Sequence, residues 1–288
     1  MAEQGTIGVI GGSGLYAMDA LEVVDEVAVS TPFGDPSDRY VLGELAGRRV
    51  AFLPRHGRRH SLLPGELNFR ANIYGFKKLG VDRLVSVSAV GSMKEEIAPL
   101  HIVLPDQFID RTRGRVETFF GEGAVAHVSL ADPVCPELHE ALREAAASCE
   151  ATVWPDGTYV CIEGPTFSTR AESYLYRSWG VSVIGMTNLP EAKLAREAEM
   201  CYATIALVTD YDCWHETEEA VSGEMVLQRL MQNVETAQGI VGALMSVLPA
   251  ERSCGCGDAL RKALVTPPSQ IPAGTKDELD IILGKYVE

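Results

Sequence analysis

The apolar and polar positions of the chain repeat with two different periods. Short apolar, β-branched runs predict buried strands at residues 6–10, 83–90 and 202–209. Two alternating segments, 40–45 and 49–53, flank a short turn and predict an antiparallel hairpin near the start. The predicted sheet is therefore mixed.

Strand and helix alternate through the second half of the chain. The period of an amphipathic helix recurs at residues 69–79, 135–150, 168–179, 191–199 and 223–248. Further strands are predicted at residues 101–109, 159–162 and 181–185. This order indicates one α/β domain over 1–249, a three-layer sandwich with a central mixed, mainly parallel sheet. The extension at 250–288 is expected to pack on the same domain or on a neighbouring subunit.

Composition narrows the classes of function. The 288 residues are 46% apolar, enough for a sizeable core, and the net charge of -15 offers no basic surface for nucleic acid. The N-terminus does not resemble a signal peptide, and no apolar run is long enough to span a bilayer. A cytoplasmic protein without nucleic-acid or membrane partners is expected. Its seven cysteines fit reduced thiols better than a disulfide framework.

The residues that follow the predicted strands are unusually polar. Since the carboxyl ends of parallel strands meet at one edge of a sheet, these residues are expected to form one ligand site. Gly12-Ser13-Gly14 offers backbone and hydroxyl donors, and the basic turn from Arg55 to His60 offers guanidinium forks that suit phosphate. Two further strand ends add small, hydroxyl and thioether residues: Ser88, Ala89, Met186 and Thr187.

Each of these signals has another interpretation. A GxGxxA match at Gly12–Ala17 is typical of dinucleotide sites, but the alternating strands that follow do not form the required βαβ unit. The glycines could make only a tight turn, and residues 55–60 could be a solvated basic loop. Small residues at 88–92 could reflect close packing.

A pair of acids follows the strand predicted at 202–209. Asp210 and Asp212 lie two residues apart, so both side chains of an extended segment would point the same way. In a shared, partly dry site, like charges separate the two titrations, and one carboxyl then keeps a proton that it can donate. A surface acidic turn is the alternative.

Several long blocks, in this order, resemble the methylthioadenosine phosphorylase branch of the nucleoside phosphorylases. They are GVIGGSGLY, LPRHGRRH, SAVGSM followed by DQFIDRT, IEGPTFSTRAESYLYRSWG, GMTNLPEAKLARE and TDYDCW. The resemblance extends from Ile7 to Leu248. It implies an α/β fold, a homotrimer with shared active sites (a homohexamer is the alternative), no metal or organic cofactor, and inorganic phosphate as a co-substrate.

The resemblance also assigns roles to individual residues. It implies phosphate donors at Ser13, Arg55, His56, Ser88, Ala89 (through its backbone) and Thr187. It implies substrate contacts at Phe167, Met186, Asp210, Tyr211, Asp212 and Val226, and at His127, which would reach the site of a neighbouring subunit.

The implied reaction is phosphorolysis of 5'-methylthioadenosine. Phosphate captures the ribose carbon while Asp210, assisted by Asp212, relieves the charge on the departing purine. A 6-oxopurine or methylthioinosine phosphorylase is the nearest alternative, followed by a dinucleotide-dependent oxidoreductase and a non-catalytic nucleoside-binding protein. Similar extensions with a CxC pair are redox-active or disulfide-bonded in some relatives; here inert thiols at Cys254 and Cys256 are favoured over such a role.

Overall fold

The structure is a computed structural model that describes residues 5–215 and 223–287. The strands in these ranges are β1 (Thr6–Gly11), β2 (Leu21–Val27), β3 (Tyr40–Leu45), β4 (Arg48–Pro54), β5 (Val81–Ser92), β6 (Ile102–Val103), β7 (Gln107–Arg111), β8 (Val153–Trp154), β9 (Thr158–Ile162), β10 (Val183–Gly185) and β11 (Cys201–Asp210). The α-helices are α1 (Phe69–Lys78), α2 (Pro136–Ala146), α3 (Arg170–Ser178), α4 (Asn188–Glu197), α5 (Gly223–Val247), α6 (Ala273–Glu278) and α7 (Asp280–Val287).

The strands form one mixed sheet. Its main path runs β2-β3-β4-β1-β5-β10-β9-β7, and β11, β6 and β8 branch from β5. The β2-β3-β4 segment is antiparallel, whereas β1 is parallel to both β4 and β5, and β5 is parallel to β11. The predicted mixed, mainly parallel sheet is confirmed.

Strand β5 changes partners along its length. On one edge it pairs with β1 as far as Ser86, and with β10 only from Gly91 onward. On the other edge it stays paired with β11 from Arg83, opposite Cys201, to Gly91, opposite Asp210. Among the described strands, none pairs with residues 87–90 on the first edge, and a gap opens there in the middle of the sheet.

Helices cover both faces of the sheet. Alternate residues of β11 point to opposite faces, since Tyr202 and Ala206 belong to one buried apolar cluster and Ala203 and Ile205 to the other. The first cluster also contains apolar residues of α1 and α4, and the second contains those of α2 and α5. The predicted three-layer sandwich is confirmed.

The prediction of one strand over 101–109 is wrong. Two short strands occupy this segment: β6 pairs with β11 and β8, whereas β7 pairs with β9. Pro105 lies between them, and a proline cannot donate to a strand ladder, which favours an interruption there. The other predicted helices and strands are present with ends that shift by a few residues.

The C-terminal extension folds back onto the layer that contains α1 and α4. Leu260 and Leu283 are fully buried in the same cluster as the helices of that layer. The Glu199 carboxylate accepts hydrogen bonds from the Leu260 N–H at 2.9 Å and from the Tyr286 hydroxyl at 2.5 Å. Within the described ranges, no helix combines the length and the apolar character required to cross a membrane.

Candidate active site

The gap beside β5 exposes backbone groups that a continuous sheet would use. The Val87 carbonyl faces the gap, where it accepts a hydrogen bond from Arg55 at 2.9 Å. Every second residue of a strand directs its N–H and C=O groups to the same edge, so the Ala89 N–H faces the gap as well. A backbone donor is thus present where the sequence places Ala89 in an anion site.

Arg55 fills the wall of the gap. It directly follows β4, and its guanidinium group is only 3% exposed. Nε and Nη2 donate to the two carboxylate oxygens of Glu191 at 2.5 and 3.1 Å. Burial alone would lower the pKa of Arg55, but the charge of Glu191 more than compensates and raises it. The site therefore holds a buried, permanent cation.

The fork of Arg55 is thus occupied by a carboxylate. Nη2 also donates to the Ser86 hydroxyl at 2.7 Å and to the Ile10 carbonyl at 3.2 Å. Of the two N–H groups of Nη1, one donates to Val87, and the other has no partner in the described part of the chain. Arg55 would therefore offer an anion its charge and a single N–H. The sequence had suggested two parallel hydrogen bonds from the guanidinium fork.

His56 is fixed as a neutral ring. Its Nδ1 lies 2.8 Å from the Leu62 carbonyl, and since a carbonyl only accepts, Nδ1 carries the proton. Burial lowers the pKa of His56 to about 4, an effect that the nearby charge of Arg55 reinforces. Nε2 therefore presents a lone pair, and it becomes a donor only if an anion beside it recruits a proton.

Two buried hydroxyl groups lie at the same gap without a partner. The Thr187 hydroxyl follows β10, and the Tyr159 hydroxyl lies beside Ser88 and Thr187; neither makes a hydrogen bond to the described residues. An unsatisfied buried polar group costs about 1–3 kcal/mol, so a pair of them indicates a polar ligand. Ser88, by contrast, donates to the Asn188 side chain at 3.2 Å.

Asp210 is the last residue of β11, the strand that pairs with β5 on the edge opposite the gap. Each oxygen of its carboxylate accepts one hydrogen bond, Oδ2 from the Thr209 hydroxyl and Oδ1 from the Asp212 N–H, both at 2.7 Å. Burial raises the pKa of Asp210, and the negative charge of Asp212 adds to the shift. Burial also raises the pKa of Asp212. The pair forms one buried acidic unit at the strand end.

Helix α5 holds this strand end in place. Arg229 donates to the Thr209 carbonyl at 2.9 Å, and Asn233 donates to the Val208 carbonyl at 3.1 Å. The Trp214 indole N–H donates to the Ser92 carbonyl at 2.7 Å, which ties the segment after β11 to the end of β5. The Tyr211 hydroxyl bonds to the Glu95 carbonyl at 3.1 Å.

Arg115 organises the loop that carries the expected base contacts. It donates to the carbonyls of Met186 and Glu163 at 2.7 Å each and to that of Leu189 at 2.8 Å. Met186 is half-buried, whereas Phe167 is 45% exposed. These contacts align the loop after β9 with the loop after β10, where a ligand in the gap would meet both.

The remaining predicted site residues do not join this cluster. His127 lines a separate groove of about 540 Å³ with Glu117, Lys193 and Glu197, and no residue of that groove belongs to the gap. The side chains of Ser13 and Val226 lie outside the described part of the structure.

Three residues of the site escaped sequence reasoning. Glu191, Tyr159 and Arg115 are partners that only tertiary contacts reveal, because each is distant in sequence from the group it holds or faces. The one available signal was the charge of Glu191 directly between Pro190 and Ala192, in the first turn of α4.

The chain is similar to known proteins over nearly its whole length. A model of the phosphorylase superfamily matches residues 6–246. S-methyl-5'-thioadenosine phosphorylase of Koribacter versatilis is 59% identical over 98% of this chain and 97% of its own, and that of Geobacter sulfurreducens is 61% identical over 98% and 99%. The crystal structure of a methylthioadenosine phosphorylase from an antarctic soil metagenomic library has 53% identity and a TM-score of 0.92 over 98% of this chain and 99% of its own.

Proposed function

This chain belongs to the phosphorylase superfamily, and on that premise we propose that it converts S-methyl-5'-thioadenosine and phosphate into adenine and 5-methylthioribose 1-phosphate. The observation that supports the proposal is the pairing of β5 with β11, in which Ser88 and Ala89 pair with Ala206 and Leu207, and Asp210 lies opposite Gly91 at the end of the same ladder. The proposed anion site and the proposed acid thus lie on one pair of strands. Cleavage of an N-glycosidic bond by phosphate uses both.

The proposed nucleophile lies in the gap. The buried charge of Arg55 attracts phosphate, and the Ala89 N–H and the hydroxyls of Thr187 and Tyr159 donate to its oxygens. His56 contributes through Nε2, which accepts from a phosphate hydroxyl or takes a proton from it. Ser88 and Ser13 complete the donors. Phosphate held in this way captures the ribose carbon as positive charge develops on it.

The proposed leaving-group acid is Asp210. Its raised pKa favours a carboxyl that keeps or shares a proton with the purine N7, and that relieves the charge on the departing base. Asp212 or Tyr211 accepts from the 6-amino group, which favours adenine over 6-oxopurines. Phe167 covers the base and Met186 contacts the ribose, while Val226 lines an apolar pocket for the methylthio group.

The proposed assembly is a homotrimer, with a homohexamer as the alternative, in the cytoplasm. His127 reaches the methylthio end of the neighbouring subunit's substrate. Its place in a groove apart from the gap supports a role outside its own subunit's site. In this proposal the reaction uses no metal and no organic cofactor, because the charge on Arg55 stabilises the phosphate and the proton on Asp210 relieves the charge on the departing purine.

The test compares base release from matched nucleosides with and without phosphate. Methylthioadenosine is expected to give adenine only when phosphate is present, and methylthioinosine and inosine are expected to react far more slowly. Adenosine is the substrate that tests the pocket for the 5' group, since an apolar pocket rejects a hydroxyl by only about 100-fold. Equal release of adenine without phosphate would contradict the proposal, and faster release of hypoxanthine would identify a 6-oxopurine enzyme.

A further inference from the structure

Four cysteines from three distant parts of the chain meet at one point. Cys135 precedes α2, Cys201 begins β11, and Cys254 and Cys256 flank one glycine in the C-terminal extension. Their four sulfur atoms all lie within 4.8 Å of one another. Such convergence is the usual geometry of a tetrahedral thiolate site.

We propose that these four cysteines, named here the thiol cluster, bind one structural zinc ion. With Zn–S bonds of about 2.3 Å, a tetrahedral site places its sulfurs about 3.8 Å apart. The thiol cluster brackets this value, since the Cys201 and Cys254 sulfurs are 3.3 Å apart and no pair exceeds 4.8 Å. Shifts of a few tenths of an ångström would bring the four ligands into place.

Two groups of positive character lie beside the four sulfur atoms. Cys135 caps the N-terminus of α2, and its sulfur accepts the Leu138 N–H at 3.4 Å, a position where a helix stabilises negative charge. Arg252 lies beside Cys201 and Cys254. Four thiolates around Zn²⁺ leave a net charge of about -2, which this arginine partly neutralises.

The extension is also held at the cluster by contacts that need no metal. Glu137, in the first turn of α2, accepts from the Ser253 N–H at 2.7 Å and from the Ser253 hydroxyl at 2.5 Å. These bonds place Cys254 and Cys256 next to Cys135 in advance. Cys135, Cys201 and Cys256 are buried, whereas Cys254 is half-buried and provides the route by which the ion enters.

Zinc accounts for the geometry better than two other uses of the same thiols. Two disulfides would join the four sulfurs in pairs at about 2.05 Å, whereas the four cysteines are free thiols in the structure and the Cys201 and Cys254 sulfurs lie 3.3 Å apart. An iron–sulfur cluster places its own iron and sulfide atoms between the thiolates, and would hold them further apart than this. Binding of Zn²⁺ replaces four S–H protons by four Zn–S bonds and releases the protons to solvent, without oxidation or reduction.

The ion would anchor the extension to the core. It joins the turn at Cys254 and Cys256 to two layers of the fold, at α2 and at β11. Asp210 lies nine positions after Cys201 in β11, about 30 Å along the strand, so the ion is remote from the proposed chemistry.

Beyond this point the extension pairs with the loop that contains His127. The His127 N–H donates to the Ala263 carbonyl, and the Val265 N–H donates to the Val125 carbonyl, both at 2.8 Å. Thr266 accepts the Val125 N–H at 2.9 Å. Zinc binding would therefore also stabilise the conformation of the His127 loop.

The experiment measures metal and thiols in the full-length protein. Protein purified under reducing conditions without chelator, then incubated with equimolar zinc and desalted, is analysed by plasma mass spectrometry. We expect one zinc per chain. Cobalt in place of zinc should give the absorption bands of a tetrahedral thiolate site. A zinc content near zero, or one iron per chain, would overturn the proposal.

Thiol titration separates zinc from disulfides. After unfolding with chelator but without reductant, all seven cysteines should react if zinc held the cluster. Only three should react if the cluster were two disulfides, and that count would also overturn the proposal. The variant Cys254→Ser/Cys256→Ser should lose the zinc, while Cys149→Ser, a half-buried cysteine outside the cluster, should keep one zinc per chain.

A stability measurement distinguishes a structural ion from weak surface binding. Chelation should lower the melting temperature of the wild-type protein to that of Cys254→Ser/Cys256→Ser, and it should leave the variant unchanged. Added zinc should restore the wild type alone. A melting temperature that does not respond to chelator would contradict a structural role. None of these readouts depends on catalytic activity, so they stand apart from the proposed function.

Discussion

At the scale of single residues, Arg55 makes an ion pair with Glu191 and has a separate, proposed contact with phosphate. Glu191 is fully buried, so removal of the arginine would leave an uncompensated carboxylate in the core. Breaking a buried ion pair on one side costs about 3–5 kcal/mol. The proposed phosphate contact of Arg55 is a separate interaction, because it would use the N–H group of Nη1 that does not donate to Val87.

A single and a double substitution separate the ion pair's effect on stability from the proposed effect on phosphate affinity. Arg55→Met should destabilise the protein by about 3–5 kcal/mol and raise the KM for phosphate at least about tenfold. Arg55→Met/Glu191→Gln should regain most of the stability but keep the high KM. Denaturant unfolding and phosphate saturation kinetics measure the two effects. Arg58→Met, which removes a 40% exposed cation, is the control; recovery of phosphate affinity in the double variant would contradict the assignment.

His56 is expected to make stability depend on pH. Its folded pKa of about 4 lies below the ordinary value of 6.5, so below pH 6.5 the unfolded chain binds the proton more readily. The contribution of the neutral His56 ring to the free energy of unfolding is fully present above pH 6.5. It is lost as the pH falls toward 4, by roughly 3 kcal/mol in total.

The check is a difference between unfolding curves. The stability of the wild type minus that of His56→Asn should decline between pH 6.5 and 4 and be flat above that range. His60→Gln, which alters the exposed ring stacked on His56, should preserve the decline. A difference that does not vary with pH would remove His56 as its source.

Asp210 provides the most direct test of the chemistry. Asp210→Asn removes the proposed proton donor but keeps the shape of the side chain, and it should lower kcat for adenine release by about 10²- to 10⁴-fold. Relative activity on 6-oxopurine nucleosides should rise, because an amide N–H placed at N7 can also donate to the neighbouring 6-oxo group. Asp277→Asn, at an exposed position, is the matched control. An unchanged rate and an unchanged preference would exclude Asp210 from the site.

Sequence reasoning at this scale could use only position along a strand. Arg55 follows β4, Asp210 ends β11 and Ala89 lies near the end of β5, and the sheet brings such residues together. It could not identify Glu191 or Tyr159, because their partners are set by packing between elements. The strand pattern indicated which residues lie close together. It did not indicate which hydrogen bonds they make.

At the scale of elements, the gap beside β5 depends on close packing under β10. Gly185 ends that strand, and a Cβ added there would lie 2.0 Å from the Tyr159 hydroxyl. The phenol ring is buried and cannot move aside freely. The glycine therefore sets the position of a hydroxyl that faces the proposed phosphate.

Gly185→Ala should consequently affect both stability and phosphate binding. Overpacking of this kind costs about 1–3 kcal/mol, and the displaced hydroxyl should raise the KM for phosphate. Gly239→Ala in α5, where an added Cβ meets no atom within 4 Å, should instead stabilise by about 0.5–1 kcal/mol. Thermal unfolding and phosphate kinetics of both variants provide the check. An unaffected Gly185→Ala protein would show that Tyr159 is not held by this contact.

Element prediction failed where pairing, not periodicity, decides. The segment 101–109 has the apolar pattern of one strand, yet β6 and β7 pair with different neighbours. The gap beside β5 was equally invisible, since it arises from the end of β1 and the late start of β10. Both features are properties of the register between strands, which a single sequence leaves undetermined.

At the scale of the whole molecule, the resemblance to methylthioadenosine phosphorylases is confirmed by relatives that match nearly the full chain. The thiol cluster was not foreseeable in the same way. One residue separates the two cysteines of the CxC pair. Their partners Cys135 and Cys201 lie 53 or more residues away, and the spacing between those two is not that of a metal site. Only the folded chain brings all four together.

The proposed sharing of sites between subunits makes a prediction about mixed oligomers. His127→Ala and Asp210→Asn should each be weak alone. Co-expressed with different tags and isolated as hetero-oligomers, they should regain activity, because a site that takes Asp210 from one chain and His127 from the next is intact. In a mixed cyclic trimer, one site of three combines an intact Asp210 with an intact His127. This holds for both mixed compositions, two chains of one variant with one of the other, so about a third of wild-type activity is expected.

The control is Asp210→Asn carried on both tags, which should remain inactive through the same purification. Activity equal to the mean of the two parent variants would place His127 and Asp210 in the same subunit's site, or His127 in no site at all. The first of these alternatives would conflict with the structure, because His127 lines a groove that shares no residue with the gap. Recovery therefore tests the assembly and the catalytic assignment together.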